Sequence, residues 1–391
     1  MENLVARDAV MSFWQNRHVL VTGHTGFIGG WLSWQLIRLG ARVSGISLPP
    51  PSNSPSLFAL TELANHMAGH HLTDLRDSDA TARAVAAISA AHGEPSIVLH
   101  LAAQPLVRAA FADPVGNFAT NVMGTTHLLQ SLRPLSTLQA VVVMTTDKVY
   151  LNREWVWDYR EDDALGGYEP YGCSKAAQEM VAAAYRSSYF LKAPSPIGLA
   201  TVRAGNVIGG GDFADDRIIP DLVRAACAGQ SLAVRCPQAV RPWQHVIAVV
   251  DGLLHLGKAL AERPLELSQA WNFGPPAASV VPVAQLVEQS CQAWNQAASQ
   301  SAASKSQDNK QAGWQNIADP NAPYEATLLD LSSRKAHQRL GWQPRWGLAE
   351  TIEQTIAWYH HWADGASAAN LRELCYQQLA RYADAPQTPI S

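Results

Sequence analysis

The chain is poor in several things that mark whole classes of protein. No stretch approaches the roughly 18 consecutive apolar residues of a membrane-spanning helix. The amino terminus, MENLVARDAVMSFWQNRHVLVTG, has neither a long apolar core nor a cleavage-site pattern, so no signal peptide is expected. Residues before Met11 read as a loose extension, with Met11 an alternative start. The five cysteines (Cys173, Cys227, Cys236, Cys291 and Cys375) are scattered, with no CxxC pair. That pattern fits neither a disulfide framework nor a zinc site, so no metal and a reducing cytoplasm are expected. A net charge of −4 gives no electrostatic case for nucleic acid or an anionic membrane. No internal repeat is visible.

What is present suits a soluble globular protein. Hydrophobic residues make up 47% and charged residues 16% of 391, enough for two domains or one large one. Short β-branched runs alternate with helical patterns over the first half. Strands are expected at 18–23, 42–48, 70–74, 96–103, 140–146 and 199–209, and helices at 27–39, 81–92 and 171–190. Apolar runs without polar alternation suggest strands covered on both faces. Strand–helix–strand repetition implies a parallel sheet with right-handed crossovers. After about residue 205 the rhythm breaks and Gly and Pro become dense. Residues 293–322, rich in Ser, Gln, Ala and Asn, read as an exposed, low-order insertion. The expected fold is α/β: a Rossmann-type doubly wound parallel sheet followed by a smaller mixed domain.

In VTGHTGFIGGWLSWQLIRLG, Gly23, Gly26 and Gly29 sit at three-residue spacing after a strand and open a helix. Gly23 permits the tight turn, Gly26 lets backbone N–H groups approach a pyrophosphate, and Gly29 lets the helix pack on the sheet. The helix N-terminus favours the negative phosphates. The second strand ends in LPPPSNS, without the usual ribose-binding acid, so NAD and NADP are not distinguished there. Asp74, with Leu75, follows the third strand; it either meets an adenine amino group or caps a turn.

YEPYGCSKAAQEM puts Tyr171 and Lys175 on one helical face. A tyrosine base needs its phenol, near 10 when unperturbed, brought toward neutrality, and a neighbouring ammonium favours the phenolate. Upstream, VVVMTTDKVY ends an apolar strand in Thr145, Thr146, Asp147 and Lys148. Doubly wound sheets bind ligands beyond the carboxyl ends of their strands. Strand-end capping explains the threonines and the aspartate but not the whole set. Thr146 can hydrogen-bond a sugar hydroxyl whose proton Tyr171 removes. Asp147 and Lys148 then add an acid and a base that alcohol oxidation alone does not need.

These motifs together resemble the extended short-chain dehydrogenase/reductases that act on nucleotide sugars, and within them most closely the CDP-glucose 4,6-dehydratases. The matching stretches are VTGHTGFIGGWLS, HLAAQPLVR, TTDKVY, YGCSK, IIPDLVRA, RPWQHV and LGWQPRW, spread over residues 19 to 359. Lys148 decides the branch, because related dehydratases carry a glutamate at the corresponding motif. Ile28-Gly29-Gly30 departs from the Lys-Gly-Ser frequent in the family.

The resemblance implies NAD as cofactor. Gly23, His24, Thr25, Gly26, Phe27, Ile28 and Gly29 would line its pyrophosphate, and Asp74 and Leu75 would meet adenine. Leu101, Ala102, Ala103, Gln104 and Thr145 would border the cofactor, with Asn121 in support and Tyr171 and Lys175 at the nicotinamide end. Gln104, Thr146, Arg203 and Asn206 would lie near the sugar nucleotide, and Arg217, Arg241 and Asn272 are candidates for its diphosphate and cytidine. His245 reads as a packed, hydrogen-bonded residue.

The implied reaction converts CDP-glucose to CDP-4-dehydro-6-deoxy-D-glucose. Tyr171 starts C4 oxidation, Lys148 is the base at C5 and Asp147 protonates the leaving C6 hydroxyl. A lysine is a base only when its charge is disfavoured; Lys175 and the nicotinamide push that way, and Asp147 the other. The implied layout is an extension at 1–16, a mainly NAD-binding domain at 17–205, a mainly sugar-nucleotide domain at 206–365 and a tail at 366–391. A homodimer in the cytoplasm, serving deoxysugar supply for lipopolysaccharide O-antigen, is also implied. The alternatives are a nucleotide-sugar epimerase, a dehydratase for another nucleoside diphosphate, or a non-catalytic dinucleotide sensor on the same fold.

Overall fold

The computed structural model describes residues 12–300, 311–318 and 328–388. Twelve strands occur among them: β1 (His18–Thr22), β2 (Arg42–Ser47), β3 (Gly69–Leu72), β4 (Ile97–His100), β5 (Ala140–Met144), β6 (Gly198–Ala204), β7 (Asn206–Ile208), β8 (Ser231–Val234), β9 (Val240–His245), β10 (Ala270–Phe273), β11 (Val280–Pro282) and β12 (Gly313–Asn316).

Seven strands form one parallel sheet in the order β10-β6-β5-β4-β1-β2-β3. From β1 the chain builds outward to β3, then returns to β4 and builds the other way. The reversal between β1 and β4 opens a crevice at their carboxyl ends. Alternate residues feed two cores: Val19 and Val21 join Val142 and Val202 on one face, and Leu20 joins Val98, Val141 and Leu199 on the other. The helices Phe27–Arg38 and Val246–Glu262 cover the first face; Ser78–His92, Gly124–Leu132 and Pro170–Tyr185 cover the second.

The expected strand over 199–209 divides. Gly205 follows the end of β6, and a side chain there would strike Pro242 at 2.5 Å. β7 then leaves the main sheet and pairs with β9, which also carries β11. The proposed division at 205 is therefore crossed twice. β10 returns from the second half to flank β6, and Val246–Glu262 packs beneath β4, β5 and β6.

Three further expectations are corrected. Residues 12–14 of the proposed extension are helical, and Trp14 is fully buried against Gly257. The proposed tail carries the helix Ala368–Asp384, whose Leu371, Cys375, Leu379 and Tyr382 are buried in the main core. Within the proposed insertion, residues 293–300 finish the helix Val283–Gln300, and β12 pairs with β8. Leu286, Val287, Cys291 and Trp294 of that helix face the core at helical spacing, a stripe hidden by the polar average composition. Residues 301–310 and 319–322 of the proposed insertion lie outside the described residues.

Candidate active site

The glycine loop follows β1. Gly23 has φ +76°, and a side chain on it would lie 2.7 Å from the Ala102 nitrogen; one on Gly29 would lie 2.1 Å from the Gly23 carbonyl oxygen. Only hydrogen fits at either position, because loop, helix and the β4 end are in backbone contact. Gly26 stands at the N-cap of Phe27–Arg38 and offers no side-chain cap, so the first-turn N–H groups are presented without one. Thr25 anchors the loop by donating its hydroxyl to the Leu48 carbonyl at 2.9 Å and meeting the Ser47 hydroxyl at 2.7 Å.

His24 contributes backbone only. Its ring is fully buried between Phe58 and His70, and burial pushes its pKa down to about 4. At the other end of the crevice, both Asp74 carboxylate oxygens are taken by the Arg76 guanidinium and one also by the Arg76 N–H, the turn-capping arrangement. That Arg76 hydrogen bond holds the carboxyl below its usual range. Leu75 is in the core, with its carbonyl on His127.

Leu101 to Gln104 continue β4 and are half-buried. The Asn121 side chain clamps the Gln104 backbone, accepting its N–H at 2.8 Å and donating to its carbonyl at 3.1 Å, and also donates to Ser174 at 2.8 Å. The Gln104 side chain accepts the Leu106 N–H and so serves its own loop.

Tyr171 stands in the first turn of Pro170–Tyr185. The Glu169 carboxylate caps that turn, accepting the Tyr171 N–H at 2.6 Å and the Gly172 N–H at 2.8 Å. β5 ends in a 3₁₀ turn, Asp147–Val149, that packs against this helix; the Lys148 carbonyl would lie 2.8 Å from any side chain at Gly172. The Thr146 hydroxyl neighbours the Tyr171 phenol. Burial pushes the phenol up to about 12; the neighbouring Thr146 hydroxyl and the positive charge of Arg217 oppose this, while Asp147 and Glu169 add to it. Lys175 is buried and turned to the Met144 carbonyl at 3.0 Å and Gln178 at 2.9 Å. The expected Lys175–phenol pairing is thus replaced here by Thr146 and Arg217.

Asp147 is buried. Its Oδ1 accepts from Thr146 at 3.0 Å and its Oδ2 has no partner among the described residues. Lys148 is half-buried, and the described residues offer its ammonium no hydrogen bond or ion pair. An unpartnered buried carboxylate oxygen and an unpartnered ammonium, on adjacent residues beside a tyrosine, are groups set to meet a ligand rather than each other.

Three expected ligand contacts are corrected. Arg203 donates to both oxygens of Glu179, to the Tyr150 hydroxyl and to the Glu161 carbonyl, all in the interior. Asn272 is fully buried: its Oδ1 accepts from Tyr150, its Nδ2 donates to the Tyr159 carbonyl and its N–H to Glu161. Thr145 donates inward to Glu179 at 2.6 Å. All three point into a buried polar knot centred on Glu179, a residue the sequence reading missed. Its signal was an acid one turn beyond Lys175 on the same helix. Arg217 holds Asp212 at 3.7 Å and faces Tyr171, Asn206 is half-buried at the start of β7, and Arg241 is buried on β9. His245 is a core residue whose Nδ1 accepts the Ile247 N–H. Among the described residues no cluster of side chains could hold a metal, and no helix is long and apolar enough to cross a membrane.

Comparison with known proteins fits this geometry. The family model described as GDP-mannose 4,6 dehydratase matches residues 20–355. The chain is 42% identical over 357 residues to a CDP-glucose 4,6-dehydratase of Salmonella typhimurium, covering 90% of this chain and 93% of that one. It is 25% identical to a dTDP-glucose 4,6-dehydratase of Xanthomonas campestris, covering 90% and 97% of the two. Among solved structures, a dTDP-glucose 4,6-dehydratase from Streptomyces venezuelae with NAD bound matches at TM-score 0.68 and 22% identity, covering 88% of this chain and 97% of that one. A UDP-glucose 4-epimerase from Thermus thermophilus in complex with NAD matches at TM-score 0.69 and 22% identity, covering 89% and 99%. The structures share the fold; the family match and the 42% relative extend through the strand-end and helix motifs, and the chain belongs to the GDP-mannose 4,6 dehydratase family.

Proposed function

We propose that the protein is a hydro-lyase that converts CDP-D-glucose to CDP-4-dehydro-6-deoxy-D-glucose with NAD as a recycled cofactor. The observation that carries the reading is the adjacent Asp147–Lys148 pair at the end of β5, unpartnered at Oδ2 and at the ammonium and set beside Tyr171. Oxidation or epimerisation at C4 needs Tyr171 and Lys175 alone; removal of water needs a further acid and base.

The residues present suit a dinucleotide. The Gly23–Gly29 turn leaves room for a phosphate against backbone, and the uncapped helix start supplies N–H groups and dipole. Gly23 to Gly29 would hold the pyrophosphate, the strand ends at Leu101–Gln104 would flank the ring system, and Lys175 would meet the nicotinamide ribose. A dinucleotide held there would supply hydride acceptance at C4 and hydride return at C6.

The chain's own groups move the protons. Tyr171 takes the C4 hydroxyl proton while Thr146 and Arg217 favour the developing phenolate. The C4 carbonyl acidifies C5–H, and Lys148 in its neutral form removes that proton. Asp147 protonates the C6 hydroxyl as it leaves, so one water is lost. Arg217 and Arg241 supply positive charge for the diphosphate.

A homodimer is part of the same reading. Phe111, Val115 and Met123 along one helical stretch, and Met180 and Tyr189 along another, are exposed apolar groups of the kind a second copy would cover. Five cysteines that form no disulfide support a cytoplasmic setting, with the product feeding deoxysugar synthesis and, by the resemblance, lipopolysaccharide O-antigen. The test is incubation with CDP-, dTDP-, GDP- and UDP-glucose. A product lighter by one water from CDP-glucose alone supports the reading; an isomer of unchanged mass overturns it.

A further inference from the structure

A line of buried side chains links Lys175 to the strand that feeds the glycine loop. Lys175 Nζ donates to Gln178 Oε1 at 2.9 Å, and Gln178 Nε2 donates to Thr125 Oγ1 at 2.7 Å. The Thr125 proton goes to the Asn121 carbonyl at 2.8 Å, so the same oxygen is left to accept from His100 Nε2 at 2.8 Å. His100 Nδ1 then accepts from Thr22 at 2.6 Å. Thr22 Oγ1 also accepts the N–H groups of Leu101 and Ala102, each at 3.2 Å. Thr22, His100, Thr125 and Gln178 are all 0% exposed and Lys175 is 2% exposed. Each donor in the line has one acceptor assigned by its neighbour, so the direction of the Gln178 amide is fixed from Thr22 onward.

We infer that Gln178 is the positioning residue for Lys175. Its carbonyl, aimed by Thr125 and His100, holds the ammonium at the carboxyl end of β5. Among the described residues the only other acceptor on the ammonium is the Met144 carbonyl, which no side-chain substitution removes. The inference rests on the reading that Lys175 serves the cofactor site, and it adds a residue lying behind the motif.

The alternative is that Gln178 merely fills a polar gap in the core. The two differ in what they do to the lysine. The charged or titratable groups facing Lys175 are Glu179 on its own helix, which favours the ammonium, and His100 from β4, which burial and then the Lys175 charge hold neutral; Tyr171 lies one turn earlier. Burial is the largest influence and brings Lys175 down to about 7. An amide carbonyl stabilises the charged form, a carboxylate stabilises it more, and a thioether hardly at all.

The chain has only seven lysines. Carbon-13 lysine labelling of the full chain therefore allows a titration by NMR, with the Lys175 signal assigned by its loss in Lys175→Arg. Gln178→Glu is expected to raise the Lys175 midpoint, and Gln178→Met to lower it, each by about one pH unit. In turnover, Gln178→Met is expected to lower kcat about ten- to a hundredfold with KM for the nucleotide sugar within about twofold. Should Gln178→Met fail to fold, Thr125→Val, which frees the amide without touching the lysine, is expected to lower the midpoint in the same direction. Midpoints unchanged in the variants, or displaced in one common direction by Glu and Met, overturn the inference. Because the titration needs no substrate, a failure of the unaltered protein to dehydrate CDP-glucose would count against the proposed function separately.

Discussion

Arg203 and Glu179 form an ion pair at 2.9 Å with side-chain exposures of 4% and 5%. Glu179 also accepts from Thr145 and Thr201, at 2.6 Å each; the Arg203 hydrogen bond and charge, followed by these two bonds, hold its carboxyl below the usual range despite burial. The pair ties β5, β6 and the helix of Tyr171 together behind the site. Removing one partner strands a buried charge. Glu179→Ala is expected to lower stability by about 3–5 kcal/mol, read from urea unfolding. Glu179→Leu with Arg203→Met is expected to recover much of it. An unchanged midpoint in the single variant would show that the pair is solvated.

Gly23 is held at φ +76° with the Ala102 backbone 2.7 Å from where a Cβ would stand. Gly23→Ala must displace either the loop or the β4 end. The expected outcome is at least a tenfold loss of NAD affinity, measured by quenching of protein fluorescence, with the fold retained by circular dichroism. Gly93→Ala, also at positive φ but with nothing within 4 Å, carries the backbone strain without the clash and is expected to leave NAD binding unchanged.

Three buried histidines give stability a pH dependence. Burial holds His24 at about 4, and His100 and His245 at about 3, against about 6.5 in an unfolded chain. The depressed values mean that the unfolded state takes up protons first as pH falls. Their contribution is therefore complete above about pH 6.5 and is lost toward 4 and below, by up to about 1.4 kcal/mol per pH unit for each ring. Asp330 works the other way. Its carboxyl is raised to about 6, chiefly by burial, so its contribution is present at low pH and lost as pH rises through that value. His18 and His360 are lowered in the same sense as the three rings, and Glu161, Asp212 and Asp221 are raised like Asp330, in each case chiefly by burial. The three strongly lowered rings outweigh the carboxyls, and the net expectation is a lower urea midpoint at about pH 5 than at about pH 7.5. Equal midpoints would contradict it.

Tyr171 and Thr146 are neighbours, and the Thr146 hydroxyl favours the phenolate. Tyr171→Phe is expected to abolish the absorbance of reduced cofactor on mixing with CDP-glucose, since it removes the phenol assigned to the C4 hydroxyl proton. Thr146→Val removes a hydroxyl that favours the phenolate, and its acid-side kcat limb is expected to move to higher pH. Survival of the reduced-cofactor signal in the Phe variant would mean that another group starts the oxidation.

Much of this was legible along the chain because it is local. The glycine spacing, the strand ending in Thr146-Asp147-Lys148 and the Tyr171–Lys175 repeat each lie within one turn or one element, where period and chemistry read directly. What escaped depends on tertiary neighbours. Arg203 and Asn272 carry the residue types a diphosphate needs, yet they sit side by side on β6 and β10, where burial turned them to Glu179, Tyr150 and Glu161. The polar composition of residues 293–300 concealed an apolar stripe. The C-terminal helix reads as a tail until its partner, the helix of the glycine loop, is placed beside it through Trp34 and Tyr376. Gln178 is an ordinary glutamine in sequence and becomes informative only with Thr125 and His100 around it.

The central claim concerns Lys148, and deuterium uptake tests it most directly. In heavy water with CDP-glucose, the unaltered protein is expected to give a 4-keto-6-deoxy product carrying deuterium at C5. Lys148→Ala is expected to form reduced cofactor on the same substrate while introducing no deuterium at C5 and releasing no water. Normal C5 exchange in that variant would contradict the assignment of the base and, with it, the account of how this chain removes water.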